Sequence, residues 1–195
     1  TLAGTGIAGF SGDGDAATSA ELDSPWHLAG DSMGNLYIAD NNNHRVRRVT
    51  NGIITTIVGT GTQSSVDNAA ATAGTLNNPK GLHMDVYGTL YIAEFGGHKV
   101  RMVTQTGSLS TIAGTGTASG SSTGTNGDEG LATDATLNSP GGVWFSPMSF
   151  DVFVADEGNQ KIRAINATGY IHTIAGDGIA GFAGDGFDSR NANLN

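Results

Sequence analysis

Apolar residues in this chain come in short stretches separated by turn residues, four stretches to a unit. In the first unit they cover 26–31, 35–40, 45–50 and 53–58, with Asp31-Ser32-Met33-Gly34-Asn35 and Asn51-Gly52 as separators. Stretches of about six residues are too short for helices and right for strands. Leu36-Tyr37-Ile38-Ala39, Leu90-Tyr91-Ile92-Ala93 and Val152-Phe153-Val154-Ala155 put β-branched and aromatic residues at matched positions. Gly and Asn accept positive φ at low cost, so the separators read as hairpin turns.

The units repeat. Thr1-Leu2-Ala3-Gly4-Thr5-Gly6 returns from Thr56, Thr111 and Thr173, at intervals of 55, 55 and 62 residues, and the last 23 residues align without a gap on the first 23. Four antiparallel strands per unit, repeated radially, describe a β-propeller blade, whereas a leucine-rich solenoid would supply one strand per shorter repeat. The expectation is an all-β chain forming a single domain. Its three complete blades lie at about 24–58, 79–113 and 140–175, and its flanking connections at 1–23 and 176–195.

Composition narrows the partners. Eighteen acidic against nine basic residues leave a net charge of −9, which repels phosphate backbones and argues against nucleic acid. No apolar run approaches the ~18 residues of a membrane-spanning helix, which argues against membrane insertion. There is no cysteine, so neither a disulfide framework nor a thiolate metal site is available. Charged residues make up 14% while glycine takes 31 of 195 positions, the balance of a turn-rich chain. Few charges, no cysteine and many Ser, Thr, Asn and Gly residues suggest an extracellular or cell-surface protein. A chain that starts at Thr1 with no signal-peptide pattern reads as a mature or excised segment.

Ser24-Pro25-Trp26-His27-Leu28, Gly34-Asn35-Leu36-Tyr37-Ile38-Ala39-Asp40 and Asn43-His44-Arg45-Val46-Arg47 resemble the NHL-repeat family of β-propellers. The pattern returns at Pro79-Lys80-Gly81-Leu82, Leu90–Glu94 and His98-Lys99-Val100-Arg101. A third copy runs through Pro140-Gly141-Gly142-Val143, Val154-Ala155-Asp156 and Asn159-Gln160-Lys161-Ile162-Arg163. His27 departs from Gly81 and Gly142, and Gln160 from His44 and His98. The resemblance implies a fold and a habit of binding through one face; a fold does not fix a reaction.

Several residues are candidates for chemistry. Seven of the nine basic residues fall in third strands, and each second strand ends in an acid, Asp40, Glu94 or Asp156. These charges read either as a binding surface or as ion pairs that set blade packing. The long connections add Asp13, Asp15, Asp128, Glu129, Asp177 and Asp185 to the same face. That acidic face suits glycans, a basic protein partner or Ca²⁺, a hard cation that takes oxygen ligands. The Gly-Asp-Gly segments read equally as turns built for backbone geometry, and none matches a twelve-residue calcium loop. His27 and His83 lie in first strands, which line a propeller channel. Propellers related to the NHL family include zinc-dependent lyases and hydrolases, so the resemblance makes these histidines a zinc alternative, lacking a third ligand. Asn166-Ala167-Thr168 is an N-glycosylation pattern in a turn between strands, and Ser and Thr crowd 115–125.

The reading that results is a non-enzymatic extracellular structural or interaction module without a cofactor. Its alternatives are a glycan- or protein-binding propeller and a metal-dependent lyase or hydrolase. Propellers close with about four to eight blades, so three blades leave two open flanks with apolar residues such as those around Tyr37 and Phe153. Thr1–Gly4 reads as a fourth strand without its first three, and 176–195 as a connection to another blade. The expected partners are other copies of the chain or further blades, in a closed ring or an open filament.

Overall fold

The turns that separate the apolar stretches set the architecture of the computed structural model, which describes residues 1–195. Asn51 and Gly52 both take positive φ, 51° and 80°, the mirror-image turn whose twist matches two antiparallel strands. The first blade comprises β1 (Pro25–Gly30), β2 (Leu36–Asp40), β3 (Arg45–Thr50) and β4 (Ile53–Val58). The second comprises β5 (Pro79–Met84), β6 (Leu90–Glu94), β7 (Lys99–Val103) and β8 (Leu109–Ala113). The third comprises β9 (Pro140–Phe145), β10 (Val152–Asp156), β11 (Lys161–Ile165) and β12 (Ile171–Ala175). Each blade is one antiparallel sheet with its strands in chain order. The all-β propeller architecture read from the sequence is therefore correct.

The turn between first and second strands is held by an aspartate where a tyrosine is present to share it. Asp31 Oδ1 accepts the amides of Met33 and Asn35, and its Oδ2 takes the Tyr37 hydroxyl at 3.0 Å. Asp85 repeats the arrangement with Tyr87, Thr89 and the Tyr91 hydroxyl. Burial, reinforced by Asp85, pushes the Tyr91 phenol up to about 12. The third blade has Phe153 in place of the tyrosine, and Ser146 holds the turn instead.

Blades stack face to face through period-two alternation. Tyr37, Ala39, Val46 and Val58 on the trailing face of the first blade pack on Leu82, Leu90, Ile92 and Leu109 on the leading face of the second. Tyr91, Val100 and Ala113 do the same against Phe145, Val152, Val154 and Ile165 of the third. Tyr37 is only 7% exposed, so it lies inside a blade interface. The expectation that it marks an open flank is corrected: the parity of β2 turns Tyr37 toward the second blade and Leu36 and Ile38 away from it.

Inner strands come close together where side chains are smallest. A Cβ on Gly81 would stand 2.6 Å from the Gly141 carbonyl oxygen, so β5 and β9 meet backbone to backbone. No helix is long and apolar enough to cross a membrane.

Residues 1–22, 59–78 and 114–139 each fold as an arm lying on the leading face of the blade that follows. In the first arm, residues 1–22, the Gly4 and Thr5 amides bond to Ala17 and Ala20 carbonyls at 2.9 Å. The same pair of bonds joins Gly59 to Ala71 and Thr60 to Gly74, and joins Gly114 to Ala132 and Thr115 to Ala135. Gly12 shows why a glycine is required: at φ +82° its Cβ would stand 2.8 Å from the Ala20 Cα. Thr1–Gly4 joins no sheet; its backbone is taken up by the arm.

Candidate functional site

Third-strand arginines organise the face where arms meet blades. A register shift between third and fourth strands falls at Arg47, Arg101 and Arg163, and such bulges re-aim a side chain. All three arginines are fully buried. Arg47 bonds Asp40 at 3.3 Å and Asp13 at 2.8 Å. Arg101 bonds Glu94 at 2.9 Å and Asp67 at 2.6 Å, and Arg163 bonds Asp156 at 3.2 Å and Asp128 at 2.7 Å. One acid thus comes from the blade's own second strand, the other from the arm lying on that blade.

The second-strand acids also receive the backbone where each arm enters its blade. The Asp23, Asn77 and Asn138 amides donate to Asp40, Glu94 and Asp156 at 2.7–2.9 Å. Burial pushes all three carboxyls up, opposed by these amides and the guanidinium groups. For Asp67, burial is outweighed by Thr111 and Arg101, and the carboxyl is held below its ordinary value. A buried pair of this kind fixes geometry, because an acid left without its arginine is strongly destabilising.

The proposed acidic face is therefore smaller than the sequence suggested. Asp40, Glu94 and Asp156 have 0% exposure, so they present no surface to a ligand; the arginines and arms cover them. Asp13 and Asp128 are committed to arginines while retaining side-chain exposures of 37% and 22%. Asp177 accepts from Asn193 and from the Ile179 amide within its own arm. Asp15, Glu129 and Asp185 remain exposed. Asp128, Glu129 and Asp177 do share a polar cleft of about 360 Å³, but with Lys161 and Arg190 beside them.

No three His, Asp or Glu side chains converge as a metal-binding group. His27 accepts the Leu82 amide on Nδ1 at 3.2 Å, so one of its two ligating atoms is committed to the adjoining blade. His83 lies 6.1 Å from the Trp144 ring. Burial lowers its pKa, with Asp85 opposing and His27 reinforcing the shift. His44 and His98 each accept a backbone amide of the next blade's entry, from Asn78 at 3.1 Å and Ser139 at 3.0 Å. Asn166 Oδ1 accepts the Thr168 and Tyr170 amides and the Thr168 hydroxyl, leaving Nδ2 without a partner.

Two features escaped the sequence reading. Asp67 is the arm acid of the second blade; its signal was its place eleven residues after Thr56, where Asp13 stands twelve after Thr1. Phe10 is the other: the Arg45 and Arg47 guanidinium carbons lie 3.7 and 4.8 Å from its ring centroid.

Residues 22–49 match the model of the NHL repeat. Among curated proteins, Teneurin-1 of Mus musculus is 33% identical over 165 residues, 76% of this chain, and the chain spans 6% of that relative's length. A solved structural-genomics protein from Bacteroides thetaiotaomicron VPI-5482 superposes with a TM-score of 0.61 at 20% identity, over 86% of this chain and 39% of that one. An auxiliary nutrient binding protein from Bacteroides ovatus ATCC 8483 gives 0.61 at 20% identity, over 80% and 39%. At such identities the two structures speak to the fold alone. With the matched repeat in the first blade and the same strand order and arginine clamp in the next two, the chain folds as β-propeller blades of which the first is an NHL repeat.

Proposed function

We propose that this chain is a non-enzymatic, extracellular interaction scaffold whose two outer flanks pair with further blades supplied by other copies. The observation that carries the reading is the repetition of one interface. On the third blade, Phe153, Ala155, Ile162 and Ala175 stand at the positions of Tyr37, Ala39, Val46 and Val58, and all four are partly exposed. On the first blade, Leu28 and Leu36 stand where Leu82 and Leu90 are buried, and Leu28 is 55% exposed, while Ile38 is already covered by residues 1–22. An apolar groove of about 390 Å³ runs along this flank between Leu2, Leu22, Trp26 and Leu28. Exposed apolar faces of this kind mark interaction surfaces.

Unlike faces that meet give a heterologous contact, which closes into a ring or continues as a filament. The extracellular placement is supported by the cysteine-free, charge-poor composition, and Asn166 offers its unpartnered amide nitrogen for an N-linked glycan. Sedimentation velocity of the full chain tests the association, with concentration-dependent oligomers as the expected result. Leu28→Asp and Ile162→Asp should each reduce association to, at most, a single interface formed on mixing the two variants. Unchanged sedimentation of both variants would overturn the reading.

A further inference from the structure

Residues 176–195 form an arm that, of the three blades, touches only the third, through Ser189 and Leu194. Gly176, Gly178–Phe182, Gly184–Gly186, Ala192 and Leu194 repeat Gly4, Gly6–Phe10, Gly12–Gly14, Ala20 and Leu22. The internal bonds are the same: the Gly176 amide to Ser189 at 2.9 Å, Asp177 to Ala192 at 3.0 Å and Gly181 to Leu194 at 3.2 Å. A Cβ on Gly184 would stand 2.8 Å from the Ala192 Cα, as on Gly12 from Ala20. The arm is thus preorganised.

The acid, the aromatic ring and the edge amides by which the first arm holds its blade are present and unpaired in this one. Asp13 reaches Arg47; its counterpart Asp185 makes no side-chain bond. Phe10 lies over Arg45 and Arg47; its counterpart Phe182 is 89% exposed. The Gly14 and Ala17 amides bond to Ile54 and Gly52 carbonyls on the β4 edge, and the Asp15 carbonyl accepts the Ile54 amide. The corresponding Gly186 and Ser189 amides have no acceptor, an unpaired edge suited to backbone augmentation. Ser189 replaces the buried Ala17, and its hydroxyl is already satisfied by the Ile174 carbonyl at 2.7 Å.

The chemistry of the arm selects its seat. The second and third blades begin their third strands with Lys99 and Lys161, and the arms lying on them, 59–78 and 114–139, contain no phenylalanine. Only the first blade begins that strand with an arginine, Arg45, whose planar guanidinium stacks on an aromatic ring. We propose that residues 176–195 of one copy seat on the first blade of a second copy, in place of that copy's residues 1–22. Phe182 then covers Arg45 and Asp185 bonds Arg47. The exchange retains the arm's contacts to Arg45, Arg47 and the β4 edge and adds burial of the third blade's trailing face against Leu28 and Leu36.

This mechanism rests on the flank pairing proposed above and makes two demands of opposite sign on the full chain. Phe182→Ala with Asp185→Asn should weaken self-association at least tenfold. The thermal midpoint of the monomer should not move, because both side chains are unengaged there. Phe10→Ala with Asp13→Asn loosens the resident arm and should strengthen association several-fold. Both are read by sedimentation equilibrium from micromolar to hundreds of micromolar. Association that ignores the Phe182/Asp185 change, or that weakens with the Phe10/Asp13 change, overturns arm exchange and leaves flank pairing standing. A chain monomeric throughout that range overturns both.

Discussion

Phe10 and Phe182 occupy the same place in two arms of the same internal fold, and one is 40% exposed while the other is 89% exposed. The glycines, the short 3-10 turn and the pair of amide–carbonyl bonds are common to both arms. What differs is the sheet beneath: residues 1–22 cover Ile38, Ile54 and Val49 of the first blade, whereas residues 176–195 touch only the third blade, through Ser189 and Leu194. An arm's conformation is therefore local, set by glycines at positive φ and by bonds within some twenty residues. Its burial and its ion pair belong to the blade.

The largest expected effect comes from removing the seat's charge. Arg47→Ala leaves Asp40 buried beside no cation and should cost about 3–5 kcal/mol in urea unfolding. Asp185→Asn at the unseated arm should leave the unfolding midpoint where it was. Equal losses from both would show that the second arm is not free.

A smaller effect separates the two arms through their glycines. Gly12→Ala forces a Cβ into Ala20 at φ +82° and should lower global stability by about 1–2 kcal/mol. Gly184→Ala meets Ala192 in the same way, yet no blade depends on it. Its effect should appear as faster amide exchange confined to 176–195, with the global midpoint unchanged. A matching global loss would make the arm part of the cooperative core.

The smallest effect concerns the link from each blade to the next. Burial, with Arg45, lowers the His44 pKa below 6.5, and the neutral ring accepts the Asn78 amide. As pH falls below the unfolded value, the unfolded chain takes up the proton first. The contribution of the neutral ring is thus whole above about pH 6.5 and is lost as pH drops through the lower folded value. His44→Gln, the residue present at Gln160, should flatten stability between pH 7 and 5, as read from thermal midpoints. A slope unchanged from the parent chain would assign it to other groups.

Much of this was legible in the residues. The four-stranded units, the Asn51-Gly52 turn and the acid–base repetition in second and third strands follow from local pattern and period. The acids at Asp40, Glu94 and Asp156 were open to two readings, surface or ion pair, because a sequence shows that charges recur without showing what lies above them. Asp67 was missed because its connection differs in length from the first. Tyr37 was assigned to the wrong side for a related reason: alternation divides β2 into two faces without naming the neighbour each face meets.

The sequence by itself determined the strands, the turns, the repeat and the internal fold of every arm, since each depends on residues a few positions apart and on φ angles that glycine and asparagine accept. Tertiary structure alone decided which acids are buried, which face of each blade is covered and which arm has a seat. Those outcomes depend on stacking sheets whose residues lie some fifty positions apart, where burial, rather than residue type, determines whether a carboxylate is a surface charge or half of a clamp.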